Sequence, residues 1–314
     1  MTARRTLATA VTAAALGSIL AGGAAAQTPS RERTAAYAEA VALAPASTDQ
    51  YARWDDDICP RVAGLPGAEA QALIDRVARR AHEVGLNTGS AGCTPNLIVI
   101  FAPNAATVAR EIVDTRRDLL GYYNERNTSN AGRDALDAFV NSQHAVRWWH
   151  VARTVGADGE EMGTGQAERG SAGAESAAMN QAGMSNVGAA LSVGSFEGVD
   201  TVRSSGARTR RNTRQDIRFA LIVIEAPRVA GASAQAVADY VAMAALAQLN
   251  PDSDMSAYPS ILNLFNSASQ PAPTAMTQWD SAFLRGLYRT RRDAAARQQR
   301  TDIARRMADQ IAAN

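Results

Sequence analysis

The sequence predicts an α+β fold: a small mixed sheet packed on a buried central helix, followed by C-terminal helices. Three observations lead there. Residues 237–249 are Val, Ala, Tyr, Met and Leu throughout, except for Asp239 and Gln248. A helix that is apolar on every side is buried rather than amphipathic, and its five alanines let neighbouring backbone approach closely. Residues 96–101 (NLIVIF) and 217–224 (IRFALIVI) are short runs of β-formers followed by Pro103 and Pro227, the pattern of strands buried in a core. Finally, residues 279–288 and 291–312 carry apolar side chains at helical spacing, the first of them behind a Thr277 cap.

Composition narrows the function classes. A chain of 314 residues with 46% apolar content has ample material for a core. Its 32 basic and 31 acidic residues leave a net charge of +1, so no long-range field recruits nucleic acid, and no nucleic-acid partner is expected. Every basic residue is arginine, which removes Schiff-base and lysine-nucleophile chemistry.

The first residues set the expected compartment. Arg4 and Arg5 begin residues 1–26, an apolar stretch follows from Leu7 to Leu20, and Ala24-Ala25-Ala26 offers a cleavage site after Ala26. This is the pattern of a secretory signal peptide. Arg4-Arg5 fits a twin-arginine signal poorly, so ordinary secretion into the periplasm or medium is expected. No later apolar run reaches the roughly 20 residues of a membrane span, so none is expected after cleavage. Cys59 and Cys93 are the only cysteines, and an exported protein with an even count pairs them.

Along the mature chain, residues 27–50 read as a loosely held arm with a short helix, and residues 51–290 as one α+β domain. Ala72, Leu73, Val77, Ala81 and Val84 mark a helix ending at Gly85. After the first buried strand, Asn104 caps a second helix with Val108, Ile112, Leu119 and Leu120 on one face. Residues 133–142 predict a helix and 145–152 a strand. Residues 156–200 are rich in Gly, Ala and Ser and read as a long mobile loop. Arg203, Arg208, Arg210, Arg211 and Arg214 then read as a charge-protected edge strand, or as a dock for an anionic ligand. Ile303, Met307 and Ile311 give the Arg-rich helix of residues 291–314 one thin stripe, suited to the domain edge or to a partner helix.

Few residues bear chemistry. His150 invites a metal reading with His144, against the preferred one of a partly exposed strand histidine; His82 reads as a surface residue. Asp252-Ser253-Asp254 resembles half a calcium loop but lacks the further ligands and turn glycine, so turn and cap duty is the better account. Asp239, inside an apolar helix, is either a general base assisted by Tyr240 or an arginine, or a structural hydrogen-bonding group.

The last third adds a resemblance. The order ALIVIEA, turn, central helix, Asn250-Pro251-Asp252, SILNLF and TQWDSAFLRGLY is similar to secreted proteobacterial families of unknown function related to zincin-type metallopeptidases. A zincin carries two His one helical turn apart with Glu beside the first, which chelate zinc and activate its water. Here those positions hold Val241, Ala242 and Ala245, none of which binds metal or moves a proton. The resemblance therefore implies a zincin-like layout without metal or other cofactor. The resulting expectation is a non-catalytic protein that binds a peptide, an envelope component or a partner protein in the cleft beside the central helix. The alternative is a metal-independent hydrolase using Asp239.

Overall fold

The computed structural model describes residues 30–122, 127–164, 200–201, 210–266 and 271–313. The expected signal peptide with its expected cleavage site at Ala26, most of the 156–200 segment, and Arg203 and Arg208 lie outside the described residues. The fold is α+β. Its strands are β1 (Arg53–Trp54), β2 (Pro60–Ala63), β3 (Leu97–Ala102), β4 (Thr128–Ser129), β5 (Val146–Gly156), β6 (Gly163–Thr164), β7 (Asp200–Thr201) and β8 (Thr213–Glu225). Its helices are α1 (Arg31–Val41), α2 (Gly67–Glu83), α3 (Ala105–Thr115), α4 (Arg133–Asn141), α5 (Ala226–Val229), α6 (Ala234–Leu246), α7 (Gln278–Arg289) and α8 (Ala296–Ala312).

The main sheet runs β2-β3-β8-β5-β4, with β1 paired to β8 beside β3. Strands β1, β2, β3 and β8 are parallel, whereas β5 is antiparallel to β8 and β4 to β5. A strand flanked on both edges and covered on both faces must be apolar without alternation. Residues 220–224 of β8 meet that requirement, since all are buried. Ala220, Ile222 and Ile224 face α6 together with Leu97, Val99 and Trp148, while Leu221 and Val223 face α3 and α4 together with Trp149 and Val151.

The central helix is α6, and residues 236–249 are buried throughout. It stops at Leu246 rather than Leu249, because Ala247 turns extended and Leu249 forms a β-bridge with Ala42. Ser233 caps its start by accepting from the Ala236 N–H. Thr277 caps α7 through a capping box with Asp280, and Asn104 caps α3. The inward face of α3 is Ala105, Ala109 and Val113, with Val108 and Ile112 flanking it and Leu119 and Leu120 in a separate 3-10 turn.

Two end segments differ from expectation. Residues 31–41 are no loose arm: Tyr37, Ala38 and Val41 are fully buried and the helix packs against α8. Its weak amphipathic pattern hides this, since small alanines need only a close neighbour. The C-terminal helix begins at Ala296, and Ile303 and Met307 are buried against α7 and α1. Its stripe is thus used within this chain.

Cys59 and Cys93 are bonded, with Cα atoms 6.0 Å apart. The bond ties the entrance of β2 to the loop before β3. Sequence patterning missed β2, a four-residue strand that opens on Pro60 and has no fully buried position.

Candidate functional site

A broad apolar recess lies where parallel strands end. Beyond the carboxyl ends of β2, β3 and β8 the chain leaves the sheet through Leu65, Phe101 and Val229, and α2 and α6 flank the opening. This is the place in a parallel sheet where diverging connections leave a crevice. The resulting groove has a volume of about 560 Å³, within the usual range for small-molecule sites. Leu73, Val237 and Phe101 line its floor; Ala68 and Ala72 of α2 are exposed along one wall, with Ala232 and Ala234 opposite. Gly64 makes the floor possible. Its φ is +81° and a Cβ there would lie 1.9 Å from the Phe101 carbonyl oxygen, so only glycine lets β2 exit against β3.

Asp239 sits behind this groove, and its side chain is 0% exposed. Arg76 and Arg80 lie one turn apart on α2 and therefore share a face. Each grips the carboxylate with two nitrogens. Arg76 donates through Nε and Nη2 at 2.7 and 2.6 Å, and Arg80 through Nε and Nη2 at 2.8 and 3.1 Å. The Met276 N–H adds a fifth bond at 2.8 Å. Burial raises the carboxyl pKa, but the bonds from Arg76, Arg80 and Met276 outweigh it and hold the group at about 2. A carboxylate with both oxygens filled and so low a pKa is a poor proton acceptor at neutral pH. What it does do is fix α2 to α6 and to the segment before α7, and so set the width of the groove.

The other sequence candidates are dispersed. His150 is 3% exposed, not partly exposed, because β5 is covered on both faces. Burial lowers its pKa to about 4, against hydrogen bonding of the ring to the Ala245 and Ala244 carbonyls, which favours the cation. Its Nε2 has no hydrogen-bond partner among the described residues and, like Gln248, it borders a cavity of about 30 Å³, large enough for a water. His144 borders the same cavity but is exposed and precedes the strand, and His82 is exposed on α2. Among the described residues, no group of three or more His, Cys, Asp or Glu is placed to hold a metal ion. Val241, Ala242 and Ala245 are fully buried. The Asp252 N–H bonds Asn250 Oδ1, and Asp254 Oδ1 accepts from the Ser256 N–H, as turn residues do. Arg214 is not on an edge: it opens β8 and pairs with Asp55 and Asp216.

Two polar clusters carried no sequence signal beyond the Thr277–Asp280 capping box. Asp280, in the first turn of α7, accepts from Tyr37, Ser260, Ile261 and Thr277, and among the described residues no cation touches it. Burial raises its pKa. Arg53, 1% exposed, donates to the carbonyls of Leu287 and Thr290, yet its Nε and Nη2 have no partner among the described residues. Burial first, then the neighbouring Arg292, lowers its pKa to about 9. Both clusters join segments far apart in sequence, which no local pattern encodes.

Comparison of the chain with protein-family models, curated proteins and solved structures finds no match in any of the three.

Proposed function

We propose that this is an exported, non-catalytic binding protein of the cell envelope whose ligand lies in the groove between α2 and α6. One observation carries the reading: an open apolar groove stands at the ends of three parallel strands, and Asp239, the base that the hydrolase alternative requires, is enclosed and committed to two arginines. Such a lining binds by burying apolar surface, at about 25 cal/mol per Å². The Cys59–Cys93 bond supports an oxidising compartment. In this reading the zincin-like order of elements is an inherited scaffold, with Val241, Ala242 and Ala245 filling core where a metallopeptidase would carry its ligands.

Native mass spectrometry of chain purified from its exporting host tests the proposal. A bound small molecule is expected on the wild type and not on Ala72→Trp, whose indole fills the groove from an exposed position. Hydrolytic turnover that Asp239→Asn abolishes without loss of folding would overturn it in favour of the hydrolase.

A further inference from the structure

Resting on the groove reading, we propose that the ligand is a single-chain amphiphile with a carboxylate head, its acyl chain lying along α2 and its head held by Arg79. Four features of the lining select this class.

The groove offers an acyl chain what it needs and a peptide little. Its walls and floor are alanine, leucine, valine and phenylalanine side chains, and its polar lining is confined to Glu69, Gln235, Arg76 and Arg79. A peptide in this channel would bury backbone N–H and C=O groups with few partners, each costing about 1–3 kcal/mol. A hydrocarbon chain carries no such groups. The exposed alanines, Ala68, Ala72 and Ala234, leave apolar surface open for a flexible chain to cover.

Charge sets the direction. Arg79 is exposed and lines the groove, and among the described residues no carboxylate pairs with it. Asp75, one turn earlier, is engaged by Gln71 Nε2 at 2.8 Å. Arg76 uses Nε and Nη2 on Asp239, which leaves Nη1 without a hydrogen bond among the described residues. A carboxylate between these two groups would gain a charge-assisted pair. Glu69 stands at the opposite end, ten residues earlier on the same helix and so about 15 Å away. An anionic head is repelled there, and the tail end is directed towards Leu65 and Phe101.

Displacement of the neutral dye Nile red from the purified chain tests this. Wild type is expected to bind the dye and release it to dodecanoate. Arg79→Gln is expected to weaken dodecanoate about tenfold while leaving its methyl ester unchanged, and Ala72→Trp to abolish dye and dodecanoate binding together. Circular dichroism of each variant, with Ala68→Trp as a second block, separates loss of the groove from loss of the fold. If the dye binds in a manner sensitive to Ala72→Trp but dodecanoate does not displace it, or if Arg79→Gln weakens acid and ester equally, the ligand class is wrong and the groove reading survives. Dye binding that neither tryptophan alters would overturn both.

Discussion

Asp239 and Asp280 make an informative pair. Both carboxylates are fully buried, on α6 and α7, and each accepts five hydrogen bonds. Their pKa values nevertheless move in opposite directions: Asp239 is held at about 2, and Asp280 is raised above the usual carboxylate range. What differs is charge. Two guanidiniums face Asp239, whereas the donors around Asp280 are hydroxyls and backbone N–H groups of Tyr37, Ser260, Ile261 and Thr277. The neutral donors orient the Asp280 carboxylate without offsetting its desolvation, whereas the two guanidiniums at Asp239, helped by the Met276 N–H, do offset it.

The comparison predicts a graded series. Asp280→Ala strands Tyr37 Oη, Ser260 Oγ and two backbone N–H groups, so chemical denaturation should report a loss of about 4 kcal/mol. A loss under about 1 kcal/mol would mean that Asp280 is incidental to the junction of α1 with α7. Arg80→Met leaves Asp239 with one guanidinium, and a cost of about 3 kcal/mol is expected. Asp239→Asn should cost less, because Arg76 and Arg80 reach water and the carboxylate does not.

Acid titration separates the groups by sign. His150 is held neutral to about pH 4, while the unfolded chain protonates it near 6.5. The unfolded state therefore binds the proton first, and stability falls as pH drops through that window, by up to about 3 kcal/mol. His150→Gln should flatten this part of the curve, and an unchanged slope would place the proton elsewhere. Asp239 stabilises above its unfolded pKa of about 4 and loses that contribution as pH falls towards 2. Asp280 works oppositely: the penalty for its charge is present at neutral pH and relieved on acidification. The smallest effect belongs to the groove. Arg79→Gln should change stability by less than about 0.5 kcal/mol, since the side chain is exposed and unpaired among the described residues.

The features legible in the sequence are those with a local cause. Residues 237–249 announce a buried helix because no face of it is polar, and 217–224 announce a central strand for the same reason. Thr277 and Asn104 were readable as caps because capping is settled within four residues. The clamp on Asp239 was not, because Arg76 lies 163 residues earlier and looks like any solvated helical arginine. His150 was misplaced because the alternation in 145–152 suggests one wet face, whereas α4 and α6 cover both. Residues 31–41 looked loose because alanine gives little pattern; it is Tyr37 reaching Asp280, 243 residues away, that holds them.

The central claim is that Asp239 is a permanently ionised brace behind a binding groove, not a base that exchanges protons with a substrate. Side-chain carboxyl ¹³C NMR of the folded protein, followed from pH 7 downward, measures that directly. The expected titration has its midpoint near pH 2, with no movement of the Asp239 resonance between pH 7 and 4. A midpoint at or above about 5, in the range of a general base poised for catalysis, would contradict the account.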